Sequence, residues 1–191
     1  MRTIKNNKEI EIIINKSRFI CISYIINSIS DVDVFLNETK EKYEGATHYC
    51  YAYIIDSYKK CSDDKEPSGT AGLPILNVLE KNELNNILVI VVRYYGGIKL
   101  GAGGLVRAYT NSVVECLKDN IKDIKKGIKL EIKFGYDKVK IIDNIFKDKI
   151  IDKYFDEYIM YIIKISYDEY ELIKNKLINL NVKVLEDNII I

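Results

Sequence analysis

A chain of 191 residues, 48% hydrophobic and 30% charged, with 2 prolines and 10 glycines, can build one sizeable core or two small ones; collagen-like and wholly disordered classes are excluded. Its 29 basic and 28 acidic side chains leave a formal charge of +1, so any nucleic-acid contact must come from a local patch. The longest purely aliphatic run, residues 87–92, is far too short for a bilayer and the first residues lack a signal-peptide core, which predicts a cytoplasmic protein with no membrane partner.

In chain order, residues 10–14 and 18–26 read as a strand pair, and Val32, Phe35, Leu36, Thr39 and Tyr43 mark a helix. A strand over residues 47–55, a long loop through Gly72 and a helix near residues 75–84 follow. Residues 87–92, rich in branched side chains, predict a central strand covered on both faces. Helical spacing starts at Leu105, so the glycines of residues 96–104 are expected between that strand and the helix. Near Gly127 the glycine pattern changes, with only Gly135 beyond it, and this predicts domains over residues 1–126 and 127–191.

In the second region Leu130, Ile132, Phe134 and Tyr136 alternate as a half-buried strand, and Asp137 is expected to cap a helix carrying Val139, Ile142, Ile145 and Phe146. Two apolar-rich runs, residues 150–155 and 158–165, come next. Ser166 and Glu169 then form a capping box for a helix with Tyr170, Ile173, Leu177 and Leu180, and residues 182–190 read as a last strand. The order βαββαβ is ferredoxin-like.

Two segments can carry chemistry. Between Arg93 and Tyr109 stand Gly96, Gly97, Gly101, Gly103 and Gly104; such glycines let the backbone approach a ligand closely, and free amides at a helix start favour an anion. Arg93, Lys99 and Arg107 add positive charge. No Walker sequence is present, and Val106 stands where a dinucleotide fingerprint needs its third glycine. A tight turn packing helix onto sheet is the alternative. The second segment, residues 61–74, holds Asp63, Asp64 and Glu66, candidate ligands for a hard cation such as Mg²⁺, with Pro67, Gly69 and Gly72 shaping the loop and Thr70 as a helix-cap candidate. Carboxylates in turns also serve as solvated or locally hydrogen-bonded groups.

His48, the single histidine, shares one face of its strand with Cys50 and Ala52, while Tyr49, Tyr51 and Tyr53 face the other way. It suits either a hydrogen-bonded, partly buried role or a general base, but no triad partner is evident in the linear spacing. The tyrosines suit core packing, and the RNP pattern of base-stacking sheets is absent. The four cysteines show no C-x-x-C pair and are expected to be reduced and mostly buried.

Residues 62–72, residues 93–109, His48 and Ala52 together resemble the signature of the YigZ/Impact family, and with the βαββαβ tail the resemblance covers essentially the whole chain. Lys65 stands where glycine is expected after the paired aspartates, and Tyr95 where phenylalanine is usual. The resemblance implies an α+β protein: an N-terminal domain like the second domain of ribosomal protein S5, then a ferredoxin-like domain similar to those of elongation factor G. Eukaryotic relatives bind the activator of an initiation-factor kinase and restrain the starvation response. The expected function is therefore a non-catalytic binding protein, needing no cofactor, that contacts RNA, the ribosome or a translation factor. The anion-binding candidates are Arg93, Gly96, Gly97, Lys99, Gly101, Gly103, Gly104 and Arg107. The alternative is a Mg²⁺-dependent enzyme acting on a phosphorylated small molecule, with Asp63, Asp64 and Glu66 at the metal and His48 as acid or base.

Overall fold

Strands β1 (Arg2–Ile4), β2 (Lys8–Ile14) and β3 (Ser17–Ile25) open the first of two compact units in a computed structural model that describes residues 1–178 and 180–191, with backbone only at Asn188 and Ile190. Helix α1 (Ile29–Lys42), the hairpin of β4 (His48–Ile55) and β5 (Tyr58–Ser62), α2 (Gly72–Lys81), β6 (Ile87–Tyr94), α3 (Gly101–Leu117) and β7 (Ile121–Asp123) complete it. The main sheet is antiparallel throughout, in the order β2-β3-β6-β4-β5. As expected, β6 is the central strand. On one side Ile87, Val89 and Val91 join the core formed with α2 and α3; on the other Leu88, Ile90 and Val92 pack with Val32, Phe35 and Leu36 of α1. The face assignment of β4 also holds: Cys50 and Ala52 belong to the first core, and Tyr49, Tyr51 and Tyr53 to the second.

Three local expectations need correction. The loop expected after residue 55 contains β5, whose YKKCS sequence is too polar to announce an edge strand but pairs with β4 from Tyr51–Ser62 to Ile55–Tyr58. Helix α3 starts at Gly101, so Gly101, Gly103 and Gly104 lie in its first turn, a placement masked by the poor helix propensity of glycine. Asp137 caps no helix: β8 ends at Phe134, and Tyr136, 59% exposed and not on the strand, opens a 3₁₀ turn with Asp137. The break between units falls after Asp123, earlier than residue 126, because β7 pairs back onto β1 and Lys126 already lies in the next strand.

The second unit, Ile124–Ile191, contains β8 (Lys126–Phe134), α4 (Val139–Phe146), β9 (Ile150–Phe155), β10 (Ile159–Ser166), α5 (Tyr167–Leu177) and β11 (Asn181–Ile190). Its antiparallel sheet runs β11-β8-β10-β9. Alternate residues of β8 and β10, among them Leu130, Ile132, Tyr161 and Ile163, pack with Ile142 and Phe146 of α4 and Leu177 of α5.

The Ser166–Glu169 capping box is formed: the Ser166 hydroxyl accepts from the Glu169 amide, and the Glu169 carboxylate accepts from the Ser166 amide at 3.0 Å. Lys149, together with these Ser166 bonds, holds the Glu169 carboxyl down to about 2. Because this folded value lies below that of the unfolded chain, the stabilisation is fully present above about pH 4.3 and lost as pH falls through about 2. With both side chains partly exposed, solvent keeps the effect small. Acid titration followed by thermal melts should show Glu169→Gln flattening the loss of stability across that window.

Candidate phosphate site and buried polar cluster

The end of β6 and the loop after β5 place Arg93 and Glu66 together. Arg93 Nη1 donates to Glu66 Oε1 at 2.5 Å, and their side chains are 5% and 3% exposed. Tyr109, on the buried face of α3, donates its hydroxyl to the same oxygen at 2.8 Å. The guanidinium lies over the rings of Phe19 and Tyr95, with Cζ 5.3 and 5.5 Å from their centroids. Its Nε is buried without a hydrogen-bond partner among the described residues. A buried charge is stable only where a counter-charge and hydrogen bonds replace water, and Glu66 supplies both.

His48, on β4, joins this cluster. Its Nδ1 lies 2.8 Å from the Asp64 carbonyl, an acceptor only, so Nδ1 carries a proton; Nε2 lies 3.7 Å from Glu66 Oε1. The Cys50 thiol lies 3.3 Å from the Tyr109 hydroxyl. Burial, with Glu66, Asp64 and Asp63 nearby, pushes that thiol well above its ordinary value despite the Tyr109 bond, so it stays protonated and is no thiolate nucleophile. The Tyr109 hydroxyl is likewise pushed up by burial, Cys50 and Glu66.

The three acidic side chains expected to act together are used separately. Asp63 accepts the amides of Gly69, Ala71 and Gly72 at 2.9, 3.0 and 2.8 Å and so builds the entry to α2. Burial alone would raise its carboxyl, but these amides outweigh it and hold the group below its ordinary range. Asp64 accepts the Tyr49 amide at 2.7 Å, and Glu66 binds Arg93. Among the described residues no three His, Cys, Asp or Glu side chains converge so as to hold a metal ion, so Asp63, Asp64 and Glu66 do not form one ligand group. Thr70 donates to the Pro67 carbonyl at 2.6 Å; it caps no helix, and Ala71 occupies the N-cap of α2. Lys65 takes φ +69°, the left-handed backbone that glycine adopts without cost.

The two chemistry-bearing segments do meet. A cleft of about 400 Å³ is lined by Glu66 and Pro67 from the acidic loop, by His48 and Arg93, and by Tyr95, Lys99 and Gly101 from the glycine segment. Gly97 and Gly101 turn the chain with φ +83° and +68°, and α3 then begins with exposed Gly101, Ala102 and Gly103 and no side-chain cap. Its first-turn amides lack intrahelical acceptors, and the helix dipole adds partial positive charge there. The Gly96 amide, by contrast, donates to Ser17 Oγ at 3.1 Å, so Gly96 is a structural residue rather than an anion contact. Arg107 is exposed on α3 and lies outside the residues lining the cleft. A larger depression of about 650 Å³ lies beside Lys118, and two of its basic groups are already engaged, with Arg2 donating to the Asn82 carbonyl and Lys5 to that of Asp119.

The family model of the Impact N-terminal domain matches residues 15–117, which include the cleft-lining residues named above. The chain belongs to the IMPACT family. An IMPACT family member of Haemophilus influenzae is 36% identical over 175 residues, covering 86% of this chain and 84% of that protein. The IMPACT family member YvyE of Bacillus subtilis is 49% identical over 118 residues, a match spanning 60% of this chain and 54% of the relative. A crystal structure of a hypothetical protein is similar with a TM-score of 0.65 at 25% identity, covering 97% of each chain. Among the described residues of this IMPACT-family chain, no helix is long and apolar enough to cross a membrane. All four cysteines are free, with Cys21, Cys50 and Cys116 buried.

Sequence alone does not reveal Tyr109 as part of the cluster. It reads as an ordinary core position of a helix, and only the approach of α3 to Glu66 gives its hydroxyl a role.

Proposed function

We propose that this IMPACT-family chain is a non-catalytic binding protein of translation or its control, which holds phosphate groups of RNA or the ribosome at the glycine turn and the start of α3. The carrying observation is the uncapped, exposed first turn of α3 opening on a cleft that also receives Lys99, while Arg93 lines that cleft with its charge matched by Glu66. Exposed Arg107 extends the positive surface along the helix. We read the first unit as S5 domain 2-like and the second as ferredoxin-like, a reading supported in the second by its βαββαβ order and β11-β8-β10-β9 sheet. Fold alone does not carry function, so the reading rests on the site.

Phosphate binding releases counterions and must weaken as salt rises. Cosedimentation with ribosomes or RNA is expected at low salt and should decline steeply with salt. Lys99→Ala with Arg107→Ala should weaken it and lower the log–log salt slope by about 1 for each phosphate that is no longer neutralised. Absence of binding at low salt, or indifference to the double substitution, contradicts the proposal.

A second reading, an enzyme acting on a phosphorylated small molecule, is supported by the presence of His48 and Glu66 beside Gly101 in one cleft. In it His48, with Nδ1–H fixed on the Asp64 carbonyl, moves protons at Nε2. Turnover across a panel of phosphoesters, abolished by His48→Gln, is its test.

A further inference from the structure

We infer that the cleft takes a single nucleotide, with its phosphate at the start of α3, its base against Tyr95 and an N–H edge of the base donating to Glu66. The inference rests on the phosphate reading of the glycine turn and adds what lies beyond the phosphate. At about 400 Å³ the cleft has room for one nucleotide-sized ligand. Its walls are largely apolar, with Pro67, Leu100, Leu105 and Tyr95 among the lining residues. Tyr95 is 45% exposed with the Arg93 guanidinium over its ring, so the exposed part of the ring can receive a base.

The second observation is on the floor. The Glu66 side chain is only 3% exposed, and its Oε1 is shared by Arg93 and Tyr109. Among the described residues no donor reaches its other oxygen, Oε2, which is not one of the fully buried unpaired atoms and so stays open to a donor from a ligand in the cleft. Every common base carries an N–H on its pairing edge, whereas a sugar phosphate alone offers no aromatic plane for Tyr95. Apolar walls, an aromatic ring, a carboxylate acceptor and an anion site lining one cleft therefore fit a nucleoside monophosphate better than a bare phosphate or a phosphosugar.

Isothermal titration of the full chain with AMP, GMP, CMP, UMP, ribose 5-phosphate and inorganic phosphate tests this. At least one nucleotide should bind about tenfold or more tightly than ribose 5-phosphate, the scale expected for one base–aromatic stack. Tyr95→Ala, an exposed position whose fold is checked by circular dichroism, should erase that advantage and leave inorganic phosphate binding unchanged. Ribose 5-phosphate binding as tightly as every nucleotide, or a Tyr95→Ala variant with undiminished nucleotide affinity, overturns the inference and leaves the phosphate site standing. If no probe binds, phosphate included, the inference and the phosphate reading fall together. Loss of ribosome or RNA cosedimentation with nucleotide binding intact overturns only the translation reading.

Discussion

Replacing Arg93 by alanine is expected to lower the unfolding free energy by about 3–5 kcal/mol, because it strands the Glu66 carboxylate in the interior. The Glu66 side chain is 3% exposed and its main counter-charge is Arg93 Nη1 at 2.5 Å. Tyr109 still donates to it, and His48 Nε2 remains 3.7 Å away, but neither replaces the full charge of a guanidinium. Urea unfolding of the full chain, followed by backbone amide NMR signals of the first unit, measures the loss. The double variant Arg93→Met with Glu66→Gln removes both charges and should recover most of it, as replacement of a whole buried pair is often close to neutral. If Arg93→Ala alone costs less than about 1 kcal/mol, the pair is solvated and the description of the cluster as a dry ion pair is wrong.

Gly96→Ala should be nearly as damaging, for a steric reason. A Cβ there would stand 2.0 Å from the Lys16 carbonyl carbon, 2.1 Å from its oxygen and 2.4 Å from the Ser17 nitrogen. These are backbone atoms of the β2–β3 turn and cannot rotate away. Either that turn or the end of β6 must move. Ser17 Oγ receives the Gly96 amide at 3.1 Å and lies 3.5 Å from Arg93 Nη2, so the shift is passed to the buried cluster. A cost of about 3 kcal/mol or more is expected, at the upper end for overpacking. Gly103→Ala is the control. It meets no atom within 4 Å and lies inside α3, so alanine there should be neutral or stabilising by up to about 1 kcal/mol in the same urea measurement.

Much of the fold is legible in the sequence because its core strands follow simple periodicities. The branched run of residues 87–92 is buried on both faces, and the alternation of His48, Cys50 and Ala52 against Tyr49, Tyr51 and Tyr53 sorts them onto two cores, as a period of two requires. The Ser166–Glu169 box is a local pattern with a local hydrogen-bond answer, and it too is readable. What escapes depends on long-range pairing. Strand β5 is polar because it is an edge, and β1 and β7 are three-residue strands that exist only because the chain ends of the first unit meet. The start of α3 is hidden because glycine is a poor helix former, although here the burial of Leu105, Ala108 and Tyr109 anchors the helix.

The candidate site divides in the same way. The glycine segment and the acidic loop both stand out as unusual sequence, yet their roles follow from three-dimensional partners. Asp63 resembles a metal ligand in the linear pattern, but the amides of Gly69, Ala71 and Gly72 account for its oxygens. Gly96 resembles an anion contact, but its amide is held by Ser17. Glu66 groups with the aspartates by sequence, whereas its partner is Arg93, 27 residues away. A linear motif gives the inventory of groups, while the assignment of each to loop building, charge pairing or ligand contact requires knowing which backbone donors the fold brings near.

A phosphate site at the start of α3 and the turn before it is tested most directly by backbone amide NMR during a titration with inorganic phosphate. Saturable shifts should concentrate at Gly97, Lys99 and Gly101 to Gly104, with Gly96 least affected within the turn and the whole response weakened in Lys99→Ala. Amides of that segment that stay fixed while phosphate moves resonances elsewhere, or drift without saturating, would contradict it.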